Sequence, residues 1–239
     1  MTKKESMPAQ KAPLKLSVII PSYNEEKTLP IILQKVLAVS VVHEVIVVDD
    51  GSTDLTPRIL DPFRDNERVK IIHCSNNFGK GAAIRRAIPE VTGDLVIIQD
   101  ADLEHDPQDY LQMIARHEAT SCPVVYGSRR ISGGTPSLIR FHLARTVLSL
   151  LTNLLYRQRI TDEPCCYKMF ETELLKSIPL TCEGFEFCPE VTAKIGRRGI
   201  RIEELPIRYY PRSFREGKKI CWKDGVVALW TLIKYRFVD

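Results

Sequence analysis

The sequence predicts an α/β fold, a mostly parallel, Rossmann-like sheet flanked by helices. Three observations carry this prediction. Apolar, β-branched runs alternate with helix-like stretches at intervals of about 25 residues. The runs are continuous, as in strands buried on both faces, and do not alternate with polar residues. Polar clusters follow three of the runs, where a parallel sheet opens its binding crevice. A chain of 239 residues is ample for one such domain and tight for two.

The elements follow in order. Leu16 to Ile20 is the first strand, ending at Pro21, and a helix runs from Glu25 to about Ala38. Val45 to Val48 is the second strand and leads into Asp49-Asp50-Gly51-Ser52. Asp54 is placed to cap the next helix, to about Phe63. Val69 to Ile72 is the third strand, Lys80 to Ile88 a helix, and Asp94 to Ile98 the fourth strand. Pro107 opens a helix to about Arg116, a first-turn position that suits proline. Pro123 to Tyr126 is the fifth strand. Beyond it, Pro136 to Arg157 reads as a long helix with Arg140 and Arg145 embedded, and Arg201 to Tyr209 as strand-like. Gly225 to Phe237 is an amphipathic helix with Trp230, Leu232, Ile233, Tyr235 and Phe237, edged by Lys223, Lys234 and Arg236. Two readings fit it, an interfacial helix on a membrane and a stripe packed on the core.

Composition sets limits. No apolar run approaches the roughly 20 residues a bilayer requires. Residues 1–15 are polar, lack the apolar centre of a signal peptide and read as a disordered lead-in. Seven cysteines without a C-x-x-C pair argue against a disulfide framework or a zinc site and for a reducing cytoplasm. Residues 1–125 hold 14 Lys+Arg against 18 Asp+Glu, and residues 126–239 hold 20 against 12. An acidic half (16–128) joined to a basic half (129–239) fits a single domain that handles phosphates, with no nucleic acid as partner.

The most informative stretch is Ile97-Ile98-Gln99-Asp100-Ala101-Asp102-Leu103-Glu104. On an extended or turning backbone, Asp100, Asp102 and Glu104 at alternate positions point the same way. Three converging oxygen ligands suit a hard cation, Mg²⁺ or Mn²⁺. The clusters Pro21-Ser22-Tyr23-Asn24-Glu25 and Asp49-Asp50-Gly51-Ser52 fall at neighbouring strand ends. Gly79-Lys80-Gly81 lacks the spacing of a phosphate loop and reads as a close backbone turn. Pro-Ser-Tyr-Asn-Glu after the first strand, in place of a glycine-rich turn, excludes a dinucleotide oxidoreductase.

Taken together, SVIIPSYNEE, VIVVDDGSTD, NFGKGAAIRRAI, DLVIIQDADLEHDP, VVYGSRR, TDEPCCYKMF, GFEFCPEVTAK and RSFREGKKICWKDG resemble glycosyltransferase family 2 of the GT-A fold. The likeness is to the dolichyl-phosphate mannose synthase branch, without membrane helices, and covers nearly all of Leu16 to Phe237. It implies an inverting, metal-dependent transfer of a hexose from a nucleotide sugar to a polyprenyl phosphate, at the cytoplasmic membrane face and by peripheral association. GDP-mannose is the first expected donor and UDP-glucose the second. The resemblance places Pro21, Tyr23, Glu25, Lys80 and Ala101 along the nucleotide sugar and gives Asp50 a hydrogen bond from the base. Asp100 and Asp102 become the metal-linked pair, with Glu104 as third ligand where many relatives carry Gln. Arg129 and Arg140 are expected to position the acceptor phosphate, and Asp162 either to line the site wall or to serve structurally. Arg212, Lys218 and Lys219 lie in a basic loop expected to close over the diphosphate, with Arg215 as an alternative register. A saccharide acceptor and a non-catalytic nucleotide-sugar-binding module are the competing readings.

Overall fold

The computed structural model describes residues 13–131, 139–212 and 222–238. Seven strands, β1 (Leu16–Ser22), β2 (Val42–Asp49), β3 (Val69–His73), β4 (Leu95–Ile98), β5 (Val124–Ser128), β6 (Lys168–Glu171) and β7 (Glu203–Pro206), form one sheet in the order β3-β2-β1-β4-β6-β5-β7. All neighbours are parallel except β6, which runs antiparallel to β4 and β5. The helices are α1 (Leu29–Leu37), α2 (Thr56–Leu60), α3 (Lys80–Ala87), α4 (Tyr110–Thr120), α5 (Ile139–Tyr156), α6 (Thr172–Lys176), α7 (Phe187–Arg197) and α8 (Trp222–Phe237).

The continuous apolar strands are buried on both faces, and their two-residue period splits the core in two. Val18, Ile20, Val45, Val47 and Ile97 pack with α1 and α4. Ile19, Ile46, Val48, Val96 and Ile98 pack with α3 and α7. Because β6 of the basic half sits between β4 and β5 of the acidic half, the two halves share one sheet. Strand order reverses at β1, between β2 and β4, which opens a crevice at their carboxyl ends.

Several boundaries differ from expectation for local reasons. The first helix starts at Leu29 because Asn24 adopts φ 52° and residues 24–26 donate their amides to Ser52, Thr56 and Asp54. Asp54 does not cap α2; its carboxylate accepts from Thr56 N–H and forms a turn ahead of the helix. Pro107 opens a 3₁₀ turn capped by Asp106, and α4 follows at Tyr110. Of the strand-like run 201–209 only Glu203–Pro206 pairs in the sheet. Three elements were not foreseen: β6, the five-residue α6 and α7. β6 has four residues and inserts antiparallel, and α7 carries Pro189 in its first turn, which hides its helical pattern. The lead-in read at 1–15 lies, apart from 13–15, outside the described residues.

Candidate active site

The site is assembled from the loops after β1, β2 and β4. After β2, Asp50 is buried, and its carboxylate accepts from Phe78 N–H at 3.1 Å and Gly79 N–H at 2.7 Å. Gly79 has φ 95°, and a Cβ there would lie 2.3 Å from the Glu183 carbonyl oxygen, so the turn requires glycine. The residue expected to meet the base thus shapes the 77–79 turn in this structure, and the turn sends Lys80 into the crevice. The Lys80 ammonium contacts the Asp100 carboxylate and lies 2.8 Å from Cys166 Sγ. Burial opposes its charge, yet Asp100 prevails and holds the Lys80 pKa well above the ordinary lysine range. The Asp100 carboxyl is lowered in turn, Lys80 outweighing burial.

After β4 the chain does not stay extended. Leu103 takes the left-handed conformation at φ 62°, an unfavourable one for a bulky side chain. That breaks the alternation on which the third-ligand expectation rested. Glu104 turns toward the segment after β7, accepting from Tyr209 Oη–H at 3.1 Å and Arg212 N–H at 3.0 Å. His105 takes the expected place: ligand atoms of Asp100, Asp102 and His105 lie within 4.8 Å of one another. Among the described residues the groups that converge are Asp100, Asp102 and His105, and the expected third ligand, Glu104, is not one of them.

Charge at this cluster is unbalanced. Burial, then Asp100 and Glu104, push the Asp102 carboxyl up to about 7, against the pull of Arg212. Burial pushes His105 down to about 4, which leaves the imidazole neutral at pH 7, the form that binds metals. Its ring packs on Tyr167 and Tyr209, with centroids 4.8 and 5.6 Å away. Two carboxylates and a neutral imidazole fit a divalent cation, and the nitrogen donor suits Mn²⁺ better than Mg²⁺. Arg212 spans the cluster, with Nη2 3.2 Å from Glu25 and 3.3 Å from Asp102. Pro21 and Tyr23, both half-buried, precede Glu25 on the β1 side, and Ala101 is buried between the two aspartates.

Arg129 has a different environment from the one expected for an acceptor-phosphate ligand. Its guanidinium makes a bidentate pair with Asp162, 2.7 Å on each branch, and its backbone N–H donates to the same carboxylate at 3.0 Å. Asp162 is fully buried, and Tyr209 lies over Arg129 with its centroid at 5.2 Å. Burial alone would raise the Asp162 carboxyl; Arg129 overrides it and holds it at about 2. Arg129 is thus paired with a protein carboxylate, and Asp162 fits the structural one of its two expected roles, anchoring that arginine. Arg140 falls in the first turn of α5, and its side chain lies outside the described residues, as do Arg215, Lys218 and Lys219. Sequence reasoning did not count His105 among the metal ligands and assigned no role to Tyr209 or Cys166. The histidine adjoins the acidic triplet, but strict alternation turned it away; Tyr209 and Cys166 carry no local signal.

Comparison with known proteins agrees with the fold. Residues 17–178 match the family described as glycosyl transferase family 2. The undecaprenyl-phosphate 4-deoxy-4-formamido-L-arabinose transferase of Photorhabdus laumondii is 29% identical over 210 residues, covering 85% of this chain and 62% of the relative. The dodecaprenyl-phosphate galacturonate synthase of Rhizobium johnstonii is 28% identical over 213 residues, covering 86% and 62%. The chain thus spans somewhat under two thirds of these relatives' length. In fold it is similar to glucosyl-3-phosphoglycerate synthase from Mycobacterium tuberculosis, solved with Mn²⁺, UDP and phosphoglyceric acid. The TM-score is 0.70 at 21% identity, covering 95% of this chain and 80% of that one. With the family matched over residues 17–178, most of its length, the chain belongs to glycosyl transferase family 2.

Proposed function

We propose that this chain transfers a sugar from a nucleotide sugar to a polyprenyl phosphate with a divalent cation, Mn²⁺ or Mg²⁺, as cofactor. The observation that carries the reading is the convergence of Asp100, Asp102 and His105 with Lys80 and Arg212 at the switch point. The two polyprenyl-phosphate transferases among its relatives support the acceptor class. A cation held by Asp100, Asp102 and His105 supplies charge neutralisation for the departing diphosphate. Lys80 and Arg212 add fixed positive charge on either side, and Arg212 exchanges Glu25 and Asp102 for phosphate oxygens as the donor enters. Pro21, Tyr23 and Glu25 line the nucleotide side. A phosphate acceptor has its second ionisation near pH 6, so its attacking oxygen is already anionic at pH 7 and needs no general base. Positioning is then the main requirement. Arg140, at the start of α5, is assigned to the acceptor phosphate, with Arg129 fixing the wall behind it. The protein works peripherally at the membrane face that presents the lipid phosphate.

The test is a transfer assay with a short polyprenyl phosphate, Mn²⁺ or Mg²⁺, and labelled donors. GDP-mannose and UDP-glucose come first, then uronic acid and formamido-pentose donors, the sugar types named in the relatives. Label in the organic phase, abolished by EDTA, is the expected result. Label confined to the aqueous phase with a saccharide acceptor would replace the lipid reading.

The ligand set Asp100, Asp102 and His105 has its own test. Outer-shell partners of a metal typically cost 10–100-fold in affinity, and a direct ligand costs no less. His105→Ala is therefore expected to weaken Mn²⁺ binding by about tenfold or more, and Glu104→Gln to leave it within about threefold. Calorimetric titration of the donor-free protein reads both; the reverse order would restore Glu104 as the ligand.

A further inference from the structure

α5 and α8 each have one face that is packed and one that is not. Leu148 and Tyr156 of α5 join Ala228, Leu232 and Tyr235 of α8 and Ala193 of α7 in one buried cluster. The two expectations for the C-terminal helix are therefore not alternatives, since one side of α8 is core and the other is open. On the open side α8 exposes Trp222 (76%), Val226, Trp230 (63%), Ile233 and Phe237 (79%). At 3.6 residues per turn these five positions fall within roughly 80° of the helix circumference. α5 exposes Leu143, Val147, Leu150 and Leu154 (78%), spaced i, i+4, i+7, i+11 on one stripe.

Scattered apolar residues on a protein surface need no explanation, but two stripes of this length on helices that pack together mark an interaction surface. Charge identifies its occupant. Residues 143–157 and 222–238 carry Arg145, Arg157, Lys223, Lys234 and Arg236 against a single acid, Asp224. Lys223, Lys234 and Arg236 are exposed beside the α8 stripe. Tryptophan at an apolar–cationic border is the side chain that favours the bilayer interface. No described helix is long and apolar enough to cross a membrane, so the geometry is that of helices lying in the interface. The chain enters α5 soon after Arg129 and α8 soon after Arg212, so both helices are tied to the site.

We propose that the outward faces of α5 and α8 together dock this protein on an anionic lipid bilayer. The apolar stripes lie at the acyl–headgroup boundary, and the flanking cations lie on the headgroups. The choice of partner rests on the polyprenyl-phosphate reading above; the surface itself does not.

Both tryptophans of the chain lie on the α8 stripe, so intrinsic emission reports this surface alone. The full chain is mixed with phosphatidylcholine vesicles, with and without about a third phosphatidylglycerol, lacking any polyprenyl phosphate. A blue shift and co-flotation with the anionic vesicles, weakened by salt, are expected. The pair Leu150→Glu/Leu154→Glu on α5, and separately Trp230→Glu/Phe237→Glu on α8, should each lower partitioning by about tenfold or more with unchanged melting temperature. Wild-type protein left in the aqueous fraction with unshifted emission would overturn the proposal. So would a dimer that these variants dissociate without any vesicle binding. Transfer in detergent without vesicle binding removes the docking surface and keeps the catalytic reading. Vesicle binding without transfer keeps the surface and removes that reading.

Discussion

Asp102→Asn is expected to lower turnover by about 10³-fold or more, because cation stabilisation of leaving-group charge is worth several kcal/mol at about 1.4 kcal/mol per decade. The same substitution should leave the fold intact. In the metal-free protein Asp102 is pushed up to about 7 from an ordinary 3.8, by burial first and then by Asp100 and Glu104. A carboxyl raised in this way favours the folded state at low pH, and that advantage is lost as pH rises through about 7. Above pH 7, in EDTA, the neutral Asn should therefore melt at the same temperature as wild type or higher. Mn²⁺ should raise the wild-type melting temperature and leave the variant's unmoved, since only a site that binds the ion gains stability from it. Full turnover in Asp102→Asn, or equal Mn²⁺ stabilisation of both proteins, would remove Asp102 from the metal site.

Asp162→Asn carries the largest expected effect on stability. The change is nearly isosteric, but it leaves the Arg129 guanidinium, 13% exposed, without its counter-charge. Breaking one side of a buried pair costs about 3–5 kcal/mol, a large share of the 5–15 kcal/mol typical of a whole domain. Urea unfolding at pH 7 should show the loss as a lowered midpoint with little change in slope. Arg129→Met/Asp162→Leu is expected to recover most of it, because an apolar pair of similar volume avoids the desolvation cost. The pH dependence has the opposite sign to that of Asp102. The Asp162 carboxyl is held at about 2 from an ordinary 3.8. Its contribution is present above about 4 and disappears as pH falls through about 2, so wild type and Asp162→Asn should converge in stability over that interval. A constant gap down to pH 2 would show that the Arg129–Asp162 ion pair is not its source.

The fold was legible because its central strands are buried on both sides. Runs such as Val45 to Val48 and Leu95 to Ile98 have few alternatives to a covered parallel sheet, and the polar clusters after them mark the strand ends. β6 was not legible. Four residues inserted antiparallel between β4 and β5 are specified by their neighbours and not by any pattern of their own.

The acidic pair Asp100 and Asp102, its position at a strand end and the acidic and basic halves of the chain were determined by the sequence alone, since they depend only on residue type and local order. Tertiary structure decided which neighbour lies beside the pair. One left-handed residue, Leu103, turns Glu104 to the segment after β7 and brings His105 beside the two aspartates. It likewise decided that Arg129 is held by Asp162, 33 residues away, and that α8 is both core and surface. Backbone dihedrals in a loop and charge pairing across the fold are set by the sum of non-local contacts, and no window of the sequence contains that sum.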